Sequence, residues 1–387
     1  MPENILIASV LKPVNDTRLY HKIAKSLTDK LPEIKLHIVG FQSSDQNQNS
    51  NIRFYPLFNF KRLNYRRIFA NWQIFILLRE IKPALIIIAT FELLPAAIIF
   101  KLFYKTKLVY DVQENYARNV LYTKVFPFWL RYPLAGIIRL FEKTAHPFVS
   151  QYWLAEECYI YEMPFVAKKA IVLENKFKIH SQSLLKDTLK KENDDTTLKL
   201  IYTGTIARDY GIFRAIYLTE KLHKINSSVS LTIAGYCASK KDLEEINTLL
   251  QDKSYIKMLG GDNLLPHHVI LEEMQQSDVV LLPYYINKSV ENRIPTKMFE
   301  CMALSKLMLV QQNPVWQKYL EKYDTSFAYF IDYDHLVDLE KHLSEISKKR
   351  KDILNVNKEN LRGIYWKEEE LKLIEAFKKL TDKIIHN

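Results

Sequence analysis

A chain of 387 residues, 48% hydrophobic and 26% charged, has the make-up of a folded protein large enough for two domains with full cores. Eight glycines are too few for a Gly-rich dinucleotide loop or P-loop, and three cysteines far apart in sequence (Cys158, Cys237, Cys301) form neither a disulfide framework nor a zinc spacing. The net charge of +11 is lopsided: residues 1–170 hold 23 Lys+Arg against 13 Asp+Glu and residues 171–387 hold 32 against 31, so an acidic partner is expected for the first half.

Met1-Pro2-Glu3-Asn4 runs directly into an apolar segment. No secretory leader is therefore expected, and a reducing cytoplasm is the simplest setting. Ile5 to Leu11 is the first buried strand, followed by the loop Lys12-Pro13-Val14-Asn15-Asp16 and a helix from about Thr17. Strands end at Ile38-Val39-Gly40 and run over Ile52 to Leu57, before a basic, aromatic helix from about Lys61 to Arg79. The most apolar window, 83–103, is broken by Glu92 and Pro95 and is predicted as strand, turn and helix, not as a membrane span. Lys107 to Tyr110 is a strand, helices run through Phe141 and from Trp153 to about Glu162, and Ala170 to Leu173 returns to strand. The polar, Lys-rich stretch 181–197 has the composition of an exposed connection.

A second alternating set follows. Strands are predicted at 200–202, 231–235, 256–261 and 279–282, with a last one at 306–310. Helices are predicted over 212–222 and 268–276, and from Asp334 to the end, where Trp366 to Ile385 is one long charged amphipathic helix. Strand alternating with helix, twice over, predicts an α/β chain of two doubly wound, Rossmann-like domains facing across a cleft. Their expected bounds are 1–170 and 171–365, with 366–387 a C-terminal helix packing back toward the first domain.

The strongest candidate for chemistry is Asn292-Arg293-Ile294-Pro295-Thr296-Lys297-Met298-Phe299-Glu300-Cys301-Met302-Ala303. Pro295 suits the first helical position, which places Lys297 in the first turn and Glu300 one turn on, at the carboxyl end of a strand. Free N–H groups and the helix dipole favour phosphate there, and a carboxylate one turn away suits ribose hydroxyls. The same spacing also describes a plain amphipathic helix with solvated Lys and Glu. The loop from Gly204 through Thr205, Arg208 and Tyr210 to Gly211 lies between a strand and a helix, so it either offers N–H groups to a phosphate or is an ordinary turn.

Asp111, Gln113 and Glu114 leave a strand of the first domain. Gln113 can hydrogen-bond a sugar hydroxyl but cannot act as acid or base, and the two carboxylates also suit helix capping. Asp332-Tyr333-Asp334 has the Asp-x-Asp form of a metal site but precedes a helix expected near His335, where Asp is a natural N-cap, and His267-His268 are not spaced for one helix face. No metal site is predicted. Phe58-Asn59-Phe60-Lys61-Arg62-Leu63-Asn64-Tyr65-Arg66-Arg67, followed by Phe69, Trp72 and Phe75, suits an anionic membrane surface or a core helix with a basic edge, and no nucleic-acid motif accompanies the charge.

Several of these stretches, in order and spacing, resemble glycosyltransferase family 4. They are residues 12–18 (Lys-Pro-Val-Asn-Asp-Thr-Arg), 110–116 (Tyr-Asp-Val-Gln-Glu-Asn-Tyr) and 174–176 (Glu-Asn-Lys), the Gly204 loop, and Arg-Ile-Pro-Thr-Lys-x-Phe-Glu ending at Glu300. Of the family's Glu-x7-Glu pattern, Glu300 matches the second carboxylate, Asn292 stands at the first, and Glu291 is one residue out of register. Thr205 and Tyr210 stand where the family has two diphosphate-binding cations, with Arg208 between them, and Gln113 is near the family's frequent His.

The resemblance implies a GT-B fold and transfer of a sugar from a nucleotide-sugar donor to an acceptor hydroxyl, with retention and with no cofactor or metal. It implies a role in assembly of bacterial-type surface polysaccharide or glycolipid. The implied donor site is Gly204, Thr205, Arg208, Asn292, Arg293, Pro295, Thr296, Lys297 and Glu300. The catalytic group would be Gln113, Glu114, Arg208 and Lys297, and the acceptor-side loop Asp16, Thr17, Arg18 and Asp111. The expected partners are the nucleotide-sugar, a carbohydrate or lipid-linked acceptor, and an anionic membrane surface met by the N-terminal domain, on the inner face of the cytoplasmic membrane. A GT-B nucleotide-sugar epimerase and a non-catalytic GT-B partner protein are the alternatives. Gln113 weighs against the first, and Asn292, Thr205 and Tyr210 favour the second.

Overall fold

The computed structural model describes residues 4–43, 49–60, 65–123, 125–178, 197–353, 356 and 358–385. The chain divides into two units, Met1–Lys178 with Trp366–Asn387, and Ile179–Tyr365.

The first unit is built on seven parallel strands: β1 (Asn4–Pro13), β2 (Lys35–Phe41), β3 (Ile52–Phe58), β4 (Leu85–Ile88), β5 (Lys107–Val112), β6 (Gln151–Leu154) and β7 (Ala170–Val172), in the order β3-β2-β1-β4-β5-β6-β7. Alternation along each strand sends Leu6, Ala8, Ile86, Ile88, Leu108 and Tyr110 to one face, in a core with the helices α1 (Ala70–Ile81) and α2 (Leu94–Phe103) and the end of α3 (Phe128–Ala145). Ile5, Ile7, Leu85, Ile87, Val109 and Trp153 point to the other face. There they are covered by the helical stretch from Thr17 to Lys30 and by Trp366, Leu373 and Phe377 of the C-terminal helix Trp366–Ile385. Burial on both faces is why these strands are short continuous apolar runs.

Two expectations change here. The boundary at 170 falls inside this sheet, because β7 pairs with β6, and the first unit continues to Lys178. Trp153, expected to open a helix, lies within β6, and the helix that follows is only Tyr159–Glu162. A strand buried on both faces has no polar alternation, so an apolar run as short as Tyr152-Trp153-Leu154 does not distinguish strand from helix.

The second unit has six parallel strands: β8 (Leu198–Thr205), β9 (Val229–Tyr236), β10 (Ile256–Gly261), β11 (Val279–Leu282), β12 (Leu307–Gln311) and β13 (Ala328–Ile331), in the order β10-β9-β8-β11-β12-β13. Helices α4 (Ile212–Ile225), α5 (Lys240–Leu250), α6 (His267–Gln276) and α7 (Thr296–Ala303) alternate with them. β13 lies beyond the strand expected to be last. The helix expected near His335 begins instead at Leu339, because Asp332 accepts the Asp334 N–H (3.0 Å) and bonds His335 Nδ1 (2.8 Å), folding a turn at that point. Strand order reverses between β1 and β4 and between β8 and β11, which are the places where open α/β sheets take ligands. Among the described residues, no helix is long and apolar enough to cross a membrane. Of the basic segment, residues 61–64 lie outside the described residues, and Tyr65–Phe69 forms a 3-10 turn leading into α1.

Candidate functional site

At the carboxyl end of β8, Gly204 (φ +101°) lies in register with Gly235 of β9. A Cβ on Gly235 would sit 1.8 Å from the Gly204 carbonyl oxygen, so the two backbones meet at a distance only glycine permits. Gly211 (φ +80°) closes the loop in the same manner, since a Cβ there would lie 1.9 Å from the Pro283 carbonyl oxygen at the exit of β11. The buried Tyr202 hydroxyl donates to the carbonyls of Thr205 (2.8 Å) and Tyr210 (3.3 Å), pinning both ends of the loop. Burial raises this phenol well above its ordinary value, so it remains a donor.

Helix α7 faces that loop. Pro295 is its N-cap, one position earlier than expected, and Met298, Phe299, Cys301 and Met302 anchor it in the core. Lys297 reaches back so that its Cε lies 3.6 Å from where a Cβ on Gly204 would stand. Its Nζ is 2.6 Å from Glu300 Oε2, while His267 Nε2, from the first turn of α6, is 3.0 Å from Glu300 Oε1. Glu300 is 8% exposed. Burial by itself would raise its pKa, but the Lys297 charge and the His267 hydrogen bond outweigh that and hold the carboxyl well below the usual range. His267 is the partner that sequence reasoning missed, and its only signal was its place at the start of a helix.

That depression makes a signed prediction. A carboxylate with a lowered folded-state pKa contributes stability above its unfolded value, near 4.5, and loses it as pH falls toward the folded one. Glu300→Gln should therefore cost about 1–3 kcal/mol at pH 7. The gap from the native chain should narrow at pH 3 in denaturant melts, and a gap independent of pH would mean the charge carries none of it.

The surrounding loop is held by residues with little sequence signature. Arg214, 8% exposed, ties Nε to Asp334 Oδ1 (2.9 Å) and Nη1 to the Tyr284 carbonyl (3.0 Å), and its guanidinium lies 3.5 Å from the Tyr285 ring centre. Asn313 donates to the Glu291 carbonyl (2.9 Å) and Trp316 Nε1 to the Arg293 carbonyl (2.6 Å), which brackets Asn292. Asn292, Arg293 and Thr296 are half-buried, and Thr205 is exposed. Arg208 departs from expectation. It is 50% exposed, and its guanidinium is taken by Asp242 (2.8 Å) and Glu245 of α5, so the cation set against Gly204 is Lys297.

In the first unit, Asp16 caps the helical turn Thr17–Ala24, accepting the N–H groups of Arg18 and Leu19 at 2.9 Å each. Arg18 and Asp111, expected on the acceptor side, are instead paired with each other, at 2.7–3.1 Å over three contacts with both side chains buried. The cap expected of Asp111 or Glu114 is made by Asn115. Gln113 and Glu114 are half-buried: Gln113 Nε2 donates to Asp111 Oδ2 (3.0 Å), and Glu114 Oε2 accepts from Asn119 (2.7 Å). Among the described residues no three His, Cys, Asp or Glu side chains gather as metal ligands; Asp332 is used in its turn and Asp334 by Arg214.

No family model matches the sequence, and no curated protein matches it. Solved structures match closely in shape. Sucrose-phosphate synthase from Thermosynechococcus elongatus aligns with a TM-score of 0.72 at 10% identity, over 98% of this chain and all of that one. The catalytic domain of starch synthase IV from Arabidopsis thaliana, bound to ADP and acarbose, aligns at 0.64 with 10% identity, over 98% and 99% of the two chains. The Anabaena protein HepE, solved with UDP and glucose, aligns at 0.64 with 13% identity, over 97% and 99%. At such identities the likeness establishes architecture, and the chain has the GT-B fold that these proteins share.

Proposed function

We propose that the chain transfers a sugar from a nucleotide-sugar donor to an acceptor hydroxyl, the second unit holding the donor. The observation that carries this is the Glu300 carboxylate, held ionised between Lys297 and His267 against Gly204, where the strand order reverses. Two of the carboxylate's roughly four acceptor positions are in use, which leaves room for a pair of ribose hydroxyls. Lys297 and the N-terminus of α7, which carries no side-chain cap, supply positive potential for the departing diphosphate. Arg208 would first have to leave Asp242 and Glu245 to take part. On the first unit, the Gln113 amide is the group offered to a sugar or acceptor hydroxyl.

The nucleotides named with two of the structural relatives support a nucleotide-linked donor. The sequence resemblance supports retention, independence from cofactor and metal, and a carbohydrate or lipid-linked acceptor at an anionic membrane surface, in surface polysaccharide or glycolipid assembly. The test is calorimetric titration with nucleoside diphosphates and the matching nucleosides, followed by donor turnover in chelator. Lys297→Ala should lose about tenfold or more toward the diphosphate and little toward the nucleoside, as expected for a charged hydrogen bond of about 1.5–3 kcal/mol. Equal losses would remove Lys297 from the diphosphate. Turnover that returns only with manganese or magnesium would refute metal independence, and nucleotide binding without turnover would favour a non-catalytic GT-B protein.

A further inference from the structure

Helix α3 exposes large apolar side chains as well as burying small ones. Phe128, Trp129, Tyr132, Ile137, Leu140 and Phe141 are exposed, Trp129 at 73%, in two groups, 128/129/132 and 137/140/141, each held together by three- and four-residue spacing. Pro133 and Gly136 fall on the same side. The inward side is Ala135, Ile138 and Ala145 together with Glu142, 1% exposed, which accepts from Tyr110 (3.2 Å) and from the half-buried Arg139 (2.8 Å), and Arg139 also reaches Asn115 (2.6 Å). Helix α2 packs against both α1 and α3 and extends this surface with exposed Leu102 and Phe103, while α1 adds Trp72. Exposed Lys105 and Lys143 stand beside it. Large apolar side chains left exposed on three helices of one folded unit, each packed on the next, mark a docking site.

We infer that α3, with the outer sides of α1 and α2, lies in the interface of an anionic lipid bilayer. Charge identifies the occupant. Residues 1–178 and 366–387 hold 30 Lys+Arg against 19 Asp+Glu, and residues 179–365 hold 25 against 25, so the whole net charge of +11 sits on the unit that bears this face. Such a charge opposes a second copy docked through the same face and favours acidic headgroups. Trp, Tyr and Phe beside lysines are the side chains that partition to the headgroup boundary. The inference deepens the membrane setting proposed above and rests on none of the donor chemistry, so vesicle binding and donor turnover can fail independently.

The protein carries its own probe. Trp153, Trp316 and Trp366 are at most 1% exposed, whereas Trp72 and Trp129 are open to solvent, so a change of emission on adding vesicles reports this face. The full chain is titrated with vesicles of phosphatidylcholine alone and of phosphatidylcholine mixed with phosphatidylglycerol, at low and high salt. Emission should shift to the blue, and protein should co-sediment, with the anionic vesicles only, and binding should weaken with salt. The triple variant Trp129→Ser, Leu140→Ser, Phe141→Ser changes exposed positions only and should keep its circular dichroism and nucleotide binding. It should partition at least tenfold more weakly, about 1.4 kcal/mol. No binding to anionic vesicles, equal binding to both kinds, or unchanged partitioning of the variant overturns the inference. A concentration-dependent dimer in ultracentrifugation that the variant abolishes overturns it in favour of a second copy of the chain.

Discussion

A chain ending at Tyr365 should lose about 5–9 kcal/mol from the first unit, enough to unfold it. The C-terminal helix supplies Trp366, Leu373 and Phe377, each at most 3% exposed, to the core beneath β1, β4 and β5. Burial of a large apolar side chain is worth about 1.5–3 kcal/mol, and a whole domain is stable by only about 5–15 kcal/mol. Polar contacts add to this: Glu369, fully buried, pairs with Lys176 (2.8 Å), and Trp366 Nε1 donates to Ser26 Oγ (2.9 Å). Hydrogen exchange should show protection lost across β1 and β4, while nucleotide still protects β8 and α7. Retained protection in β1 would make the helix an accessory, and loss of nucleotide binding would show that the proposed donor site depends on the first unit.

Asp111→Ala should cost about 3–5 kcal/mol, because it strands the Arg18 guanidinium, 3% exposed, without its counter-charge. Arg18 would keep only its bond to the Leu173 carbonyl (2.8 Å). Replacing both partners with apolar residues, Arg18→Met with Asp111→Leu, should recover most of the stability, since no buried charge remains. Denaturant melts measure both. The pair also anchors Gln113, so on the proposed function Asp111→Ala should slow sugar transfer while the second unit's proposed affinity for nucleoside diphosphate stays unchanged. A loss under about 1 kcal/mol would mean that water reaches the pair.

Much of the Lys297–Glu300 arrangement was legible because it is local. Lys297 and Glu300 share a helix face through their three-residue spacing alone, and the strand, proline and helix around them are short-range features. The pairing in the first unit was less legible. Arg18 and Asp111 are 93 residues apart in sequence and satisfy each other, and Asn115 makes the helix cap, so a carboxylate that looks available in a motif is already in use. The pairing of Arg208 was hidden for a similar reason: α5, which brings Asp242 and Glu245, is an element that no motif marked.

By itself the sequence determined the two alternating strand–helix sets, the uneven charge, and the helix beginning beside Pro295, because hydrophobic period, composition and capping act over a few residues. Only the tertiary structure decided that His267 meets Glu300 across 33 residues, that β6 and β13 are strands, and that Lys297 rather than Arg208 stands over Gly204. It also decided which side of α3 faces outward. Phe128, Trp129, Tyr132, Ile137, Leu140 and Phe141 cover more than half of the helix, with Ala135, Ile138 and Ala145 on the rest, so periodicity does not say which apolar side points outward. The direction is set by the buried Ala135, Ile138 and Ala145 together with the buried Glu142, whose hydrogen bonds to Tyr110 and Arg139 are left unmade if the helix turns the other way.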